Sequence, residues 1–277
     1  MKADCHMHMI LDGVQWRAAI ARHVQAPDLS FVRRTLKTYR ERGYTYLRDG
    51  GDRWGAGAAA RTLAPEYGLC YRTPLAPLCL QGHYGSFIGT VYADLKEYAR
   101  LVVDHRRNGA DFIKIMISGL MDFDHFGVLT EPGFEPEMIR QLIHIAHEEG
   151  MTVMAHANGA RVMEAAASAG VDSVEHGAYA DGDALRAMEE AGTVWVPTLS
   201  TIGNLRGTGR FSERDVAQIL ESAQRNLADY RGLVAPGTDA GAWSVPHGSE
   251  TELPLLFQAG ITAERLAAGT AVIMEKF

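Results

Sequence analysis

The feature that most constrains the fold of this chain is an uninterrupted alternation of short apolar runs with longer amphipathic segments. The runs are rich in β-branched and aliphatic residues, as expected of strands that are covered on both faces. Parallel strands joined by crossover helices produce this pattern. Eight runs are predicted to be strands: Ala3–Met9, Tyr44–Arg48, Cys70–Leu78, Phe112–Ile117, Thr152–Ala155, Ser173–Glu175, Thr193–Pro197 and Leu233–Gly237.

Segments with helical spacing of apolar residues lie between these runs. Five are predicted to be helices: Ser30–Arg42, Phe134–Glu149, Asn158–Ala169, Asp183–Ala191 and Ser212–Arg231. Ser212 is predicted to cap the last of them. Glycines that each precede a strand run are predicted to end helices in the left-handed conformation: Gly43, Gly109, Gly150, Gly170 and Gly192.

Eight strand–helix units in one alternation favour a closed (β/α)₈ TIM barrel over a doubly wound open sheet. The chain has 277 residues, which suits one barrel of ~250 residues. No linker-like or low-complexity segment divides it. We therefore predict a single barrel domain over residues 1–277.

Composition excludes several classes of protein. The net charge of −7 comes with no dense basic cluster, so nucleic acid is not an expected partner. The longest apolar stretches, such as Leu75–Leu80, are far shorter than the ~20 residues of a membrane helix. No apolar run follows the charged N-terminus, so we expect a cytoplasmic protein. Cys5, Cys70 and Cys79 are too few for a disulfide scaffold and are predicted to be free thiols.

Polar side chains follow or interrupt five of the predicted strands. In a TIM barrel the C-terminal ends of all strands face one shared mouth. His6 and His8 lie two residues apart, which puts both imidazoles on the same side of a strand. Imidazole and carboxylate are ligands that suit Zn²⁺ or a similar first-row ion. The set that could hold one or two ions is His6, His8, Lys114, His156, His176 and Asp239.

Lys114 is a lone cation within the apolar run Phe112–Ile117. Burial of an unpaired ammonium group costs several kcal/mol, so this lysine must reach water, pair, lose its proton or be modified. A neutral lysine amine can react with CO₂ to form a carbamate, whose two oxygens could bridge two cations. It could instead form a Schiff base with a carbonyl substrate.

Five short motifs, taken in order, resemble the amidohydrolase superfamily. Within it they are most similar to the imidazolonepropionase-related group, which includes Xaa-Pro dipeptidases and N-acyl-amino-acid hydrolases. The resemblance runs from residue 3 to about residue 270. The motifs are Asp4-Cys5-His6-Met7-His8, Phe112-Ile113-Lys114-Ile115-Met116, His156-Ala157-Asn158-Gly159, Val174-Glu175-His176-Gly177 and Gly237-Thr238-Asp239-Ala240-Gly241.

This resemblance implies a centre of two Zn²⁺ or other first-row divalent ions per chain. His6, His8 and Asp239 would hold the more buried ion and His156 and His176 the more exposed one. A carboxylated Lys114 would bridge both ions, with a hydroxide between them. Asp239 would act as general base and then general acid. The segment Gln81-Gly82-His83 resembles a loop whose histidine contacts substrate, so His83 is implied to bind it.

The chain also departs from the family pattern. Members usually carry a β-sandwich formed from residues before and after the barrel, and the sequence leads us to expect a barrel without one. A homo-oligomer that covers this surface is compatible with the sequence. Ser118-Gly119-Leu120 stands where the related enzymes have Ser-Gly-Gly, so contacts in that loop are expected to differ.

The leading hypothesis is a metal-dependent hydrolase that cleaves a C–N bond in a small molecule, such as an acyl-amino acid, a dipeptide or a cyclic amide. Loop aromatics, among them Tyr84, Phe87 and Trp243, are candidates to line its pocket. One alternative is a deaminase with a single metal ion on His6, His8, His156 and Asp239. Two others are a metal-free lyase or aldolase that uses Lys114 and a non-catalytic barrel.

Overall fold

The computed structural model describes residues 2–277. Its strands are β1 Lys2–Met7, β2 Tyr44–Asp49, β3 Cys70–Arg72, β4 Leu78–Leu80, β5 Thr90–Tyr92, β6 Ile113–Met116, β7 Val153–Ala157, β8 Ser173–His176 and β9 Val194–Val196. Its α-helices are α1 Trp16–Ala21, α2 Leu29–Glu41, α3 Ala56–Leu63, α4 Leu95–Arg107, α5 Pro136–Glu148, α6 Ala160–Ser168, α7 Gly182–Ala191, α8 Ser200–Gly203, α9 Glu213–Asp229, α10 Glu252–Gln258 and α11 Ala263–Lys276. A 3₁₀-helix spans Ala64–Tyr67.

The strands form two parallel sheets, with the orders β1-β2-β3 and β5-β4-β6-β7-β8-β9. Residues 233–240 connect them. The N–H of Trp195 in β9 donates to Leu233 O at 2.9 Å, and the N–H of Cys5 in β1 donates to Pro236 O at 2.8 Å. The fold is thus TIM-barrel-like, and this confirms the predicted fold class.

The helices cover the sheets with apolar stripes of helical spacing. In α2 the buried side chains include Val32, Leu36 and Tyr39, and the Asp28 carboxylate caps the N-terminus by accepting from the Phe31 N–H. Ser212 caps α9 as predicted. The five predicted helices are all present, with ends within two residues of the expected ones.

Two of the predicted strands differ from the structure. The run Cys70–Leu78 is interrupted, and β3 and β4 lie at its two ends. Pro74 and Pro77 lie between them and cannot donate a backbone hydrogen bond. The run Leu233–Gly237 forms no regular strand and makes only an isolated bridge at Val234, although its backbone bonds lie where the eighth strand was expected.

Several elements were not predicted, namely β5 and the helices α1, α3, α4, α8, α10 and α11. Every named strand of residues 2–277 belongs to one of the two parallel sheets, so these residues contain no β-sandwich. Within the same residues, none of the helices combines the length and apolarity needed to cross a membrane.

Candidate metal centre and its cavity

The six predicted ligands come from five segments of the chain but line one cavity. His6 lies in β1 and His8 follows it, while Lys114, His156 and His176 lie in β6, β7 and β8. Asp239 lies in the segment that connects β9 to β1, where its N–H donates to His6 O at 2.7 Å. All six are buried except His176, which is partly buried.

Three of these side chains converge closely. His6 Nε2 and His8 Nε2 lie 3.3 Å apart. Asp239 Oδ1 lies 3.6 Å from His6 Nε2 and 3.2 Å from His8 Nε2. One ligand atom from each residue lies within 4.8 Å of the others, which is compatible with one shared cation.

The other two histidines stand next to this triad. The ring centroids of His6 and His176 are 5.0 Å apart, and those of His156 and His176 are 4.6 Å apart. The four imidazoles thus form a contiguous group at the floor of the cavity. Such a group offers enough nitrogen ligands for a second ion beside the first.

Hydrogen bonds fix one ring nitrogen in each of three histidines. His6 Nδ1 lies 2.7 Å from Glu175 Oε2, and His176 Nδ1 lies 2.7 Å from Thr198 Oγ1. His156 Nε2 lies 3.1 Å from the carbonyl oxygen of Gly119. The remaining nitrogens, Nε2 of His6 and His176 and Nδ1 of His156, are therefore the ones available as ligands.

Polar atoms at the centre lack the partners that burial demands. Among residues 2–277, Lys114 Nζ, His8 Nδ1 and Asp239 Oδ1 are buried without a hydrogen bond of good geometry. Buried polar groups are nearly always satisfied. A cation held between these side chains would give Asp239 Oδ1 a partner. If Lys114 carried a carbamate, its oxygens could also bind the cations. The residues present thus fit a metal centre.

The electrostatics favour neutral imidazoles and an ionised carboxylate. Burial lowers the pKa of His156 to about 3, and the Lys114 charge adds to this effect. Burial also lowers the pKa of Lys114, to about 8. Burial opposes ionisation of Asp239, but its contacts with His6 and His8 and the nearby Lys114 charge hold its pKa below the ordinary value. Neutral imidazole and carboxylate are the forms that bind metal.

Two of these residues adopt unusual backbone conformations. His176 has φ +67° and Asp239 has φ +54°, in the left-handed region that non-glycine residues rarely occupy. Such conformations cost of order 1–3 kcal/mol and persist where the surrounding structure requires them, often at functional sites.

A buried ion pair beneath His6 was missed by the sequence-based prediction. Arg48 Nη2 lies 2.8 Å from Glu175 Oε1 and Arg48 Nη1 lies 3.0 Å from Ser173 Oγ, with both charged side chains fully buried. The Arg48 guanidinium also donates to Cys5 O at 2.7 Å. One signal was available: Arg48 and Glu175 both fell within predicted buried strands, where a charge requires a partner.

His83 lies outside the cavity lining. Its Nδ1 is 3.2 Å from Glu131 Oε2, and its ring packs edge-on against Phe134 with centroids 5.1 Å apart. The neighbouring Tyr84 lines the cavity instead. Burial and the nearby Asp239 charge raise the pKa of Tyr84, so its hydroxyl stays protonated.

The cavity above the ligands has a volume of about 590 Å³. Its walls are largely apolar, and Arg210 stacks on Trp243 near the mouth, with the guanidinium carbon 4.0 Å from the ring centroid. A volume between about 300 and 1,000 Å³ suits a small organic molecule. The apolar lining includes Leu11, Val14, Trp16, Phe87, Ile88, Met121, Phe123, Leu205, Phe211 and Trp243.

Known proteins resemble the chain over nearly its whole length. Ochratoxinase from Aspergillus niger is 27% identical over 306 aligned positions, which cover 97% of this chain and 63% of ochratoxinase. The chain thus spans less than two thirds of that relative. A solved Xaa-Pro dipeptidase with methionine in its active site superposes with a TM-score of 0.77 at 23% identity, covering 99% of this chain and 75% of the dipeptidase. The crystal structure of A. niger ochratoxinase superposes with a TM-score of 0.75 at 22% identity, covering 98% of this chain and 70% of that one.

The sequence profile of the amidohydrolase family matches residues 57–266. Because that match covers most of its length, the chain belongs to the amidohydrolase family.

Proposed function

We propose that this chain is a metal-dependent hydrolase that cleaves an amide, peptide-like or cyclic amide C–N bond in a small molecule. The observation that carries the proposal is the convergence of His6, His8 and Asp239 at the floor of a largely apolar cavity. Membership of the amidohydrolase family supports it. So do the names of the relatives, since a dipeptidase cleaves an amide bond.

The proposed centre holds two divalent ions, with Zn²⁺ as the first candidate. His6, His8 and Asp239 would hold one ion and His156 and His176 the other, and Lys114, carboxylated on Nζ, would contact both. When bound, such ions lower the pKa of a water molecule and polarise an amide carbonyl. The lowered pKa of Lys114 supports this assignment, because the neutral amine is the form that reacts with CO₂.

Asp239 is the proposed general base and general acid. Its carboxylate would accept a proton from the attacking water and deliver that proton to the amine nitrogen as the C–N bond breaks. The carboxylate would be ionised before and after each turnover. The lowered pKa of Asp239 supports this role, because the base is then ionised at neutral pH.

The shape of the cavity supports a small substrate with a bulky apolar group. Aromatic rings form much of its lining, and the polar ligands lie together as buried side chains within it. An amide bound there would place its apolar group against the rings and its carbonyl group near the histidines. This arrangement excludes water from the apolar group of the substrate, which contributes to binding.

The first experiment is elemental analysis of protein purified without chelator, followed by a screen of N-acyl-amino acids, dipeptides and lactams. We expect two divalent ions per chain and hydrolysis of at least one amide class. His6→Ala and Asp239→Asn should abolish turnover while leaving the circular dichroism spectrum unchanged. His144→Ala, which alters an exposed histidine of α5, is the matched control and should retain activity.

Other outcomes point to the alternative functions. One ion per chain, with ammonia released from amino-substituted rings, would indicate a deaminase. Covalent trapping of a carbonyl compound on Lys114 by borohydride would indicate a lyase or aldolase. Full amide hydrolysis by His6→Ala or Asp239→Asn would refute the proposed site.

A further inference from the structure

The loop after β4 presents two neighbouring polar side chains in opposite directions. His83 turns toward Glu131, as described above, although its Nδ1 makes no hydrogen bond of good geometry there. Tyr84 turns inward, and its ring lies against that of His156 with centroids 4.8 Å apart. Tyr84 thus brings a phenol group into the cavity beside a proposed metal ligand.

Close packing of the loop holds Tyr84 in this position. The Tyr84 N–H donates to the Glu131 carboxylate. Gly85 follows with φ +99°, and a Cβ atom there would lie 2.6 Å from Met116 Cγ and 2.7 Å from Cys79 Sγ. Only glycine fits this approach, so the loop rests directly on β4 and β6. The orientation of Tyr84 is therefore built into the fold.

Among the hydroxyl and amide side chains of the cavity wall, Tyr84 is the one whose polar group makes no hydrogen bond within residues 2–277. Four side chains with a hydroxyl or amide group line the cavity: Tyr84, Thr130, Asn158 and Thr201. Thr130 and Thr201 bond backbone amide or carbonyl groups, and Asn158 uses both ends of its amide in the same way. Within residues 2–277 the Tyr84 hydroxyl makes no such bond, so it is open to a ligand.

We propose that Tyr84 is a catalytic residue whose hydroxyl donates a hydrogen bond to the carbonyl oxygen of the bound amide. The bond strengthens as that oxygen gains negative charge during attack by water, and this lowers the barrier. Tyr84 keeps its proton throughout, since an ordinary tyrosine has a pKa near 10. The inference rests on the proposed amide hydrolysis, and it gives Tyr84 the substrate contact that the family resemblance implies for His83.

The test compares Tyr84→Phe with the wild-type holoenzyme on an amide that the screen identifies. Loss of one such donor typically costs about 10²- to 10³-fold in kcat, and we expect that loss with little change in KM. Metal content should stay the same, because phenylalanine keeps the ring against His156. The matched control is Tyr92→Phe, which removes a buried, unbonded hydroxyl outside the cavity lining and should leave kcat unchanged.

A second measurement does not depend on turnover. Acetohydroxamate offers an oxygen that mimics the reacting carbonyl, and its binding to metal-loaded protein can be followed by calorimetry. We expect Tyr84→Phe to weaken this binding roughly tenfold, which corresponds to one lost hydrogen bond. Tyr92→Phe should bind it as the wild type does.

The possible results separate this inference from the proposed function. Unchanged kcat and unchanged acetohydroxamate binding in Tyr84→Phe would overturn the role of Tyr84 while amide hydrolysis stands. A decrease of kcat in His83→Gln but not in Tyr84→Phe would also overturn this role. So would a loss of bound metal in Tyr84→Phe. If the wild type hydrolyses no amide, the proposed function fails, and the acetohydroxamate comparison still decides whether Tyr84 is the donor.

Discussion

At the scale of single residues, the proposed ligands depend on the groups that orient them. Glu175, Thr198 and the carbonyl of Gly119 each hold one ring nitrogen of a histidine. Partners of this kind fix the tautomer and the orientation of a metal-binding imidazole. The His6–Glu175 contact, at 2.7 Å, joins two side chains that are shielded from water.

We predict that Glu175→Gln weakens metal binding. Glutamine cannot satisfy both His6 and Arg48 as the carboxylate does, so the Nε2 lone pair of His6 is less well oriented. The apparent Kd should rise by about 10–100-fold, as for other orienting partners. Competition of the apoprotein with a chromogenic chelator at constant pH measures this change.

Two further variants make the result specific. Glu252→Gln removes another buried carboxyl group, one that accepts from Leu199 and Ser200, and should leave the metal Kd unchanged. In Glu175→Gln the buried Arg48 loses its carboxylate partner, which could impair folding. The double variant Arg48→Gln/Glu175→Gln removes that unpaired charge, and we expect it to fold and still bind metal weakly. Wild-type affinity in folded Glu175→Gln would show that the carboxylate does not tune His6.

At the scale of elements, the local sequence predicted helices and strands correctly where a single pattern, such as helical spacing or a terminal glycine, dominates. The five helix-ending glycines all have positive φ, between +66° and +82°. By contrast α4 was missed, because its buried stripe is narrow and six of its thirteen residues are Lys, Arg, Asp or Glu. The prediction also missed the break between β3 and β4 and the irregular segment 233–237. Both contain prolines, but the residues around these prolines have the apolar pattern of a strand.

Helix α11 provides a prediction at this scale. A Cβ atom at Gly269 would lie 2.1 Å from Val234 O, because the helix backbone packs directly on the segment that connects the two sheets. Gly→Ala inside a helix normally stabilises by about 1 kcal/mol. Here we expect Gly269→Ala to lower the free energy of unfolding by about 1–3 kcal/mol through overpacking, measured by urea denaturation.

Gly182→Ala is the matched control for this substitution. Gly182 begins α7, and its added Cβ would meet only the flexible end of Arg186, at 3.3 Å. Its effect should stay within about 0.5 kcal/mol, as for ordinary surface changes. If Gly269→Ala were as stable as the wild type or more so, α11 would be able to move away from the segment that connects the two sheets without loss of free energy.

At the scale of the whole molecule, the alternation of apolar runs and amphipathic segments was sufficient to predict the fold class. It also predicted that the proposed ligands lie together, because a barrel brings the ends of its strands to one mouth. It was not sufficient for contacts between distant segments. Asp239 and His6 are joined by a backbone hydrogen bond, and no local pattern encodes that pairing. The same holds for the side chains of the loop after β4, where His83 and Tyr84 are adjacent in sequence but face opposite ways.

His247 is a distant contact of this kind, and it makes stability depend on pH. Its Nε2 donates to Leu11 O at 2.8 Å and its Nδ1 lies 3.4 Å from the Tyr39 hydroxyl, so it ties three separate segments together. Burial lowers its pKa from 6.5 to about 4. The native state therefore resists protonation that the unfolded chain accepts.

The sign and size of the effect follow from this difference. Above pH 6.5 the imidazole is neutral in both states, and its contribution to stability is fully present. As the pH falls from 7 to 5 the unfolded chain gains a proton that the native state does not, which costs about 2 kcal/mol. In His247→Gln the amide N–H can still donate to Leu11 O, but no group titrates. The drop in unfolding free energy between pH 7 and pH 5 should then be about 2 kcal/mol smaller than in the wild type.

Urea denaturation of chelator-treated protein at both pH values measures this drop without interference from metal binding. Other buried histidines with lowered pKa, such as His23 and His105, titrate equally in both proteins, so their contributions cancel in the comparison. Removal of the exposed His144 by His144→Gln should leave the drop unchanged. If His247→Gln keeps the full wild-type drop, His247 takes up its proton in the native state, and the contact that joins α2 to the two loops must open reversibly in mild acid.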